Sequence, residues 1–170
     1  MEVLLAQPAV LAPAIERLHD ALTEAFGTER VASAFFAGVR EIGEVDRIYC
    51  FAARADRSAP SLFCAWAAGP EIPALIARYK TVYHHHDPIR AVLPRIPARA
   101  CASITFEANE IAHREYREVC FERYSIRHRL SVVKCVGDAW LAVNLVRRAR
   151  PFTAAEIAAL SALGRLALPL

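Results

Sequence analysis

Leu130-Ser131-Val132-Val133-Lys134-Cys135, then Gly137-Asp138, then Trp140-Leu141-Ala142-Val143-Asn144-Leu145-Val146 is the stretch on which the fold turns. Two runs rich in β-branched and apolar residues flank a Gly-Asp turn, the pattern of a β-hairpin. Side chains alternate faces along a strand, so Leu141, Val143 and Leu145 share one face while Trp140, Ala142 and Asn144 share the other. Both faces are largely apolar. A sheet covered on both sides fits that pattern better than a sheet open to water on one side.

Working outward, Leu11, Ile15, Leu18, Leu22 and Phe26 keep a 3.6-residue stripe that predicts an amphipathic helix over 8–26, with Gly27 placed to end it. Thr28 can cap a second helix whose buried face carries Val31, Phe35, Val39 and Ile42. Residues 47–53 and 61–68 read as a hairpin joined by the polar turn at Asp56-Arg57-Ser58. A helix is expected over 71–83, placing Tyr79 and Tyr83 on one side at i, i+4. Residues 101–106 make a further strand, and 108–123 a further helix. The last helix opens with a capping box, Thr153-Ala154-Ala155-Glu156, with Phe152 placed to staple onto Ile157. Its apolar positions, Ile157, Leu160, Leu163, Leu166 and Leu170, run to the final residue, which suggests a partner, either the second half of a homodimer or a domain that normally follows.

The chain has 170 residues, enough for one domain with its own core. No apolar run approaches the roughly 20 residues of a membrane span, and the first residues lack a signal peptide's basic lead and long apolar stretch. A cytoplasmic location is expected. Five cysteines, Cys50, Cys64, Cys101, Cys120 and Cys135, stand at wide spacings without Cys-x-x-Cys, the usage of buried thiols in a reducing compartment, with redox sensing by Cys120 or Cys135 as the alternative. The formal charge is only +3, and Arg123, Arg127 and Arg129, like Arg147, Arg148 and Arg150, read as solvated edges rather than a nucleic-acid stripe. Direct contact with nucleic acid is not expected.

Tyr83-His84-His85-His86-Asp87-Pro88 admits two readings. Adjacent side chains point about 100° apart on a helix and to opposite faces on a strand, so three neighbouring rings do not converge on one ion. A metal held by His84 and His86, with Asp87 or His113, is therefore an alternative reading only. Asp87-Pro88 instead marks a helix start, with Asp87 as N-cap and Pro88 in the first turn. There is no Gly-rich phosphate loop, Gly-x-Ser-x-Gly elbow or His-Glu-x-x-His, so neither an enzyme nor a bound cofactor is expected. Glu110, His113 and Cys120 read as surface or packing residues.

Three of these places, in order over roughly residues 70–168, resemble the N-terminal signal-binding domain of LuxR-family transcription regulators, the quorum-sensing autoinducer-binding fold related to GAF and PAS sensors. They are Tyr83-x-x-x-Asp87-Pro88, the hairpin from Arg129-Leu130-Ser131 through Asn144-Leu145, and Pro151-Phe152-Thr153 with the final helix. The resemblance implies that Asp87 accepts a hydrogen bond from a ligand amide, that Asn144 touches the ligand, and that Ser131 is a small polar site beside it. Ala74 and Arg78 stand where the classical receptors place a tryptophan and a tyrosine, and Arg129 where a glycine is usual. The family's helix-turn-helix domain is not expected within residues 1–170, whether such a domain was cut off or never existed.

The expected architecture is α/β (α+β): a central antiparallel sheet of about five strands with helices on both faces, a GAF/PAS-like sensor fold forming a single ligand-sensing domain over 1–170. The expected function is small-molecule sensing, with an unidentified organic ligand between the sheet and the 71–94 helices and a homodimer reporting its presence. Trp66, Phe63, Tyr79, Tyr83 and Trp140 would supply apolar walls, and Asp87 and Asn144 orientation. Asp87→Ala should then weaken ligand-induced stabilisation more than it lowers apo stability. A ligand-free dimerisation module acting on a full-length regulator is the alternative.

Overall fold

The computed structural model describes residues 12–25, 27–28, 30–54, 60–66 and 71–167, with the backbone alone at 12, 32, 61–66, 166 and 167. Its elements are α1 (Ala12–Ala25), α2 (Val31–Gly43), β1 (Arg47–Arg54), β2 (Ser61–Trp66), α3 (Ile72–Thr81), α4 (Ile89–Val92), β3 (Cys101–Glu107), α5 (Arg114–Cys120), β4 (His128–Val136), β5 (Ala139–Arg147) and α6 (Ala154–Ala167). The strands form one antiparallel sheet in the order β2-β1-β5-β4-β3. Mixed α/β architecture with helices on both faces of the sheet agrees with the hairpin's two apolar faces. Gly137, at φ +60°, makes the β4–β5 turn.

Period-2 alternation sends the strand residues into two different layers. On one face Ile48, Cys50, Leu130, Val132, Val143 and Leu145 meet Leu18 of α1, Phe35, Val39 and Ile42 of α2, and Leu160 and Leu163 of α6 in one apolar cluster. Each such side chain, fully buried, contributes roughly 1.5–3 kcal/mol. The other face is covered by α3, α4 and α5 and is less uniform. There the register lines up Ile104, Ser131, Asn144 and Tyr49 in one row across four strands, and Phe106, Arg129, Val146 and Arg47 in the next. Polar residues are thus set into the buried floor of a layer otherwise built from apolar ones.

α6 covers its own sheet. Leu160 and Leu163 are buried against it, so the apolar face expected to seek a partner is satisfied within the chain as far as Leu163; Leu166 and Leu170 lie outside the described side chains. Gly164 lets the helix approach β4, because a Cβ there would stand 2.8 Å from the Val132 Cβ and 2.9 Å from both of its methyls. Val132 is β-branched and fixed in the strand, so it has no rotamer escape. Gly164→Ala is expected to lower the unfolding free energy by about 1–2 kcal/mol despite alanine's better helix propensity, measured by urea unfolding. An unchanged midpoint would place α6 further from the sheet.

Several local expectations change for identifiable reasons. The capping box at Thr153 and Glu156 is present, with Thr153 N–H donating to Glu156 Oε2 (2.7 Å) and Glu156 N–H to Thr153 Oγ1 (3.3 Å). Thr28 does not cap α2; its hydroxyl donates to Ala25 O and accepts from Arg30 N–H, bracing the turn after Gly27 instead. The helix expected over 108–123 is broken. Glu107 and Glu110 close a separate 3-10 turn, Ile111 is buried in an extended conformation, and the His113 ring accepts from Tyr116 N–H to start α5 afresh. The turn at Asp56-Arg57-Ser58 and the helix residues before Ala12 lie outside the described residues.

Two arginines read as solvated edges are buried. Arg147 and Arg129 are 1% and 5% exposed, because their strand positions point inward and a carboxylate meets each. Arg147 forms a bidentate pair with Glu156 (3.0 and 3.1 Å), donates to Gly43 O and Pro151 O, and lies 4.0 Å over the Phe152 ring.

Candidate functional site

Asp87 is placed by the local chain, and its partners are brought to it by the sheet. Pro88 keeps Asp87 extended (ψ 120°) after a 3-10 turn over Tyr83–His86, and Asp87 Oδ1 accepts from Ile89 N–H (3.1 Å) as a cap. Its other oxygen, Oδ2, accepts from Tyr79 of α3 (2.8 Å), Tyr116 of α5 (3.1 Å) and Arg129 of β4 (2.8 Å). The network continues along the floor: Arg129 Nε–H donates to Ser131 Oγ (2.8 Å), and Ser131 donates to Asn144 Oδ1 (2.7 Å). The direction is forced, since guanidinium only donates and the serine proton then needs an acceptor. Asp87, Arg129, Ser131 and Asn144 are all at most 6% exposed.

The electrostatics follow from burial around one ion pair. Burial, and then the charge of Asp87, raise the Tyr79 and Tyr116 hydroxyls well above the ordinary range, so both remain donors. Burial works against the Arg129 charge, but Asp87 outweighs it and keeps the guanidinium protonated. The Arg129 guanidinium also lies 4.7 Å over the Phe106 ring. Cys120, beside them, is pushed up to about 12 by burial and by Asp87. That argues against a reactive thiol. In the native protein iodoacetamide at about pH 8 should therefore spare Cys120 and label half-buried Cys101 before it; equal labelling of the two, read by mass spectrometry, would mean that the cavity wall opens readily.

Beside this network lies an apolar cavity of ≈ 60 Å³, with Leu75, Ile76 and Tyr79 of α3 over a floor that includes Tyr49, Phe51 and Asn144. A second lobe of ≈ 30 Å³ reaches toward Leu93 and Trp140. Phe51, Tyr79, Arg129 and Asn144 line both lobes and form the wall between them. The Phe51 and Tyr79 rings stand 5.3 Å apart there. Such volumes hold a few waters each, whereas drug-sized ligands need several hundred Å³.

The expected site residues separate into groups. Tyr79, Asp87, Ser131 and Asn144 come together in one network, although Asp87 and Ser131 stand behind the cavity surface. Trp140 faces the second lobe. Tyr83 does not join them: it belongs to the 3-10 turn rather than to α3, which swings its hydroxyl to Glu115 (2.6 Å). The Trp66 and Phe63 side chains lie outside the described ones. His84 faces His85 and His86 stacks on His113, and among the described residues no group of three or more ligating side chains gathers. Tyr116 and Tyr49 carry no mark in the sequence. An isolated tyrosine on a helix gives no site signal, and Tyr49 is distinguished only by register with Asn144.

A sheet with one apolar face and one face holding a polar-floored cavity under short helices defines the class of α/β domains to which GAF domains belong. Within that class the fold is that of LuxR-family ligand-binding domains. The chain is similar to the VqsR ligand-binding domain of Pseudomonas aeruginosa (TM-score 0.71, 20% identity, 92% of each chain covered). It is likewise similar to CepR2 of Burkholderia cenocepacia, described as an N-acylhomoserine-lactone-dependent LuxR-family transcription factor (TM-score 0.68, 20% identity, 91% of this chain and 89% of that one). A GAF domain/HD domain protein of Geobacter sulfurreducens follows at TM-score 0.57 and 14% identity, with 96% and 95% covered. No protein-family model and no curated protein sequence matches the chain. None of the described helices is long and apolar enough to cross a membrane.

Proposed function

We propose that this chain is the small-molecule-sensing regulatory domain of a LuxR-like transcription regulator, with its ligand between the sheet and α3–α5. The observation that carries the reading is the buried network of Asp87, Arg129, Ser131 and Asn144 beside an apolar cavity. Ion pairs and amides set into a core cost desolvation that apolar residues of the same volume avoid, so their retention beside a cavity fits a recognition role. The fold shared with the VqsR and CepR2 domains supports it. Arg129, Asn144 and Tyr79 would meet the ligand, Asp87 and Ser131 would position them, and a homodimer would transmit the change. Ligand that binds only the folded, closed form stabilises it by mass action and shifts the dimer geometry.

A ligand-free dimerisation module is the second reading. It has the small cavity behind it, and the saturation of Asp87 by the chain's own donors. Native mass spectrometry of the purified protein, followed by denaturation and extraction, separates the two. A dimer carrying an organic adduct of a few hundred daltons, released on denaturation, is the expected result. A clean apo dimer that no extract of the producing cells stabilises would favour the interaction module.

A further inference from the structure

Given the sensor function, on which this inference rests, the polar groups left over inside the cavity decide what it accepts. Asp87 offers a ligand little: Oδ2 already takes three donors, Oδ1 takes the Ile89 N–H, and the residue does not line either lobe. Asn144 Oδ1 is likewise taken, by Ser131. The groups left over on the wall shared by the two lobes are donors. Arg129 uses Nε and Nη1 within the network, so that Nη2 makes no hydrogen bond to a described residue, and Asn144 Nδ2 makes none either. The Trp140 Nε1–H in the second lobe is buried with no acceptor among the described residues, as is the Tyr49 hydroxyl in the first, which can donate or accept. Buried donors are rarely left unpaired, and each costs free energy when it is. The Arg129 charge is already balanced by Asp87, so the cavity presents a donor surface without net charge.

We propose that the cavity takes a small, largely apolar molecule whose polar end is a neutral hydrogen-bond acceptor of the carbonyl class, received by Arg129 and Asn144 with Tyr49 and Trp140 flanking them. It discriminates against a ligand that has to donate an N–H to Asp87. Arg129 is the specificity residue: by occupying the carboxylate it converts an acceptor site into a donor site. A ligand N–H directed at Arg129 and Asn144 would meet further N–H groups and remain unpaired there, whereas an ester or ketone carbonyl of the same shape would satisfy them.

The isosteric pair methyl propanoate and N-methylpropanamide, chosen to suit the small volume of the two lobes, tests this, because the two differ only by O in place of N–H. By isothermal calorimetry on the whole chain, the ester is expected to bind about tenfold more tightly, the ratio that roughly 1.4 kcal/mol for an unpaired buried donor implies. Arg129→Gln should narrow or reverse the ratio by freeing Asp87. Asn144→Leu, which leaves the Asp87–Arg129 pair intact, should weaken the ester about tenfold, and it keeps the test decisive if Arg129→Gln does not fold. Tighter binding of the amide, or an ester affinity indifferent to Asn144→Leu, overturns the inference and leaves the sensor reading standing. Binding of neither probe by protein that carries a natural adduct likewise overturns the inference alone. Binding of neither by protein without an adduct removes both.

Discussion

Arg129→Met is expected to lower the unfolding free energy by about 3–5 kcal/mol, because it strands the Asp87 carboxylate in a layer where it is 2% exposed. The loss is less a measure of the pair's worth than of leaving one charge buried without its partner. Combining Arg129→Met with Asp87→Asn should therefore recover much of it, since the amide oxygen introduced at that position can still cap Ile89 while the amide NH2 donates to the tyrosine oxygens, and no charge is left to neutralise. Urea unfolding of both single variants and the double closes the cycle. If the double variant loses the sum of the two single losses, the pair is not energetically coupled. The same geometry reverses the expectation for Asp87→Ala. Four hydrogen bonds converge on that carboxylate before any ligand arrives, so the apo form itself should be destabilised, beyond the roughly 1 kcal/mol of a lost cap.

Arg147→Met should cost a similar amount, about 3 kcal/mol or more, by a different route. Arg147 ties the end of β5 to Gly43 at the end of α2, to Pro151 and to Glu156 in the first turn of α6. Its loss unlatches α6 from the sheet, and Arg150, which also pairs with Glu156, is too exposed to replace it. This cluster also sets an acid dependence. Burial opposes the Glu156 charge, but hydrogen bonds from Arg147, Arg150 and Thr153 outweigh that and hold its carboxyl far below the usual carboxylate range. A folded value below the unfolded one, near ~4.3, gives stability that is complete above ~pH 5 and lost as pH falls through the folded value. Wild-type protein should thus lose more stability between ~pH 5 and ~pH 3 than Glu156→Gln does. Equal slopes for the two proteins would assign the acid sensitivity to other carboxylates.

The hairpin at residues 130–146, the helices at both ends and the cap at Asp87 were legible in the sequence, because each depends on the spacing of neighbouring residues. Alternation along β5 correctly divided Val143 and Leu145 from Ala142 and Asn144, and 3.6-residue spacing found α1, α2 and α6. Such signals are local: a strand's faces and a helix's stripe are fixed within a few residues. Which polar residues meet is not local. Asp87 and Arg129 are separated by 42 positions, and Tyr116 lies 29 from Asp87. An arginine that pairs inside the core is indistinguishable in sequence from one that lies in water, so sequence alone puts both Arg129 and Arg147 at the surface. Sheet register set Arg129 over Phe106 and beside Ser131, and the burial of that layer made Asp87 its partner. The direction of the resulting hydrogen-bond chain, and so the donor character of the cavity, exists only once those distant side chains are packed out of water, where every polar group must find a partner.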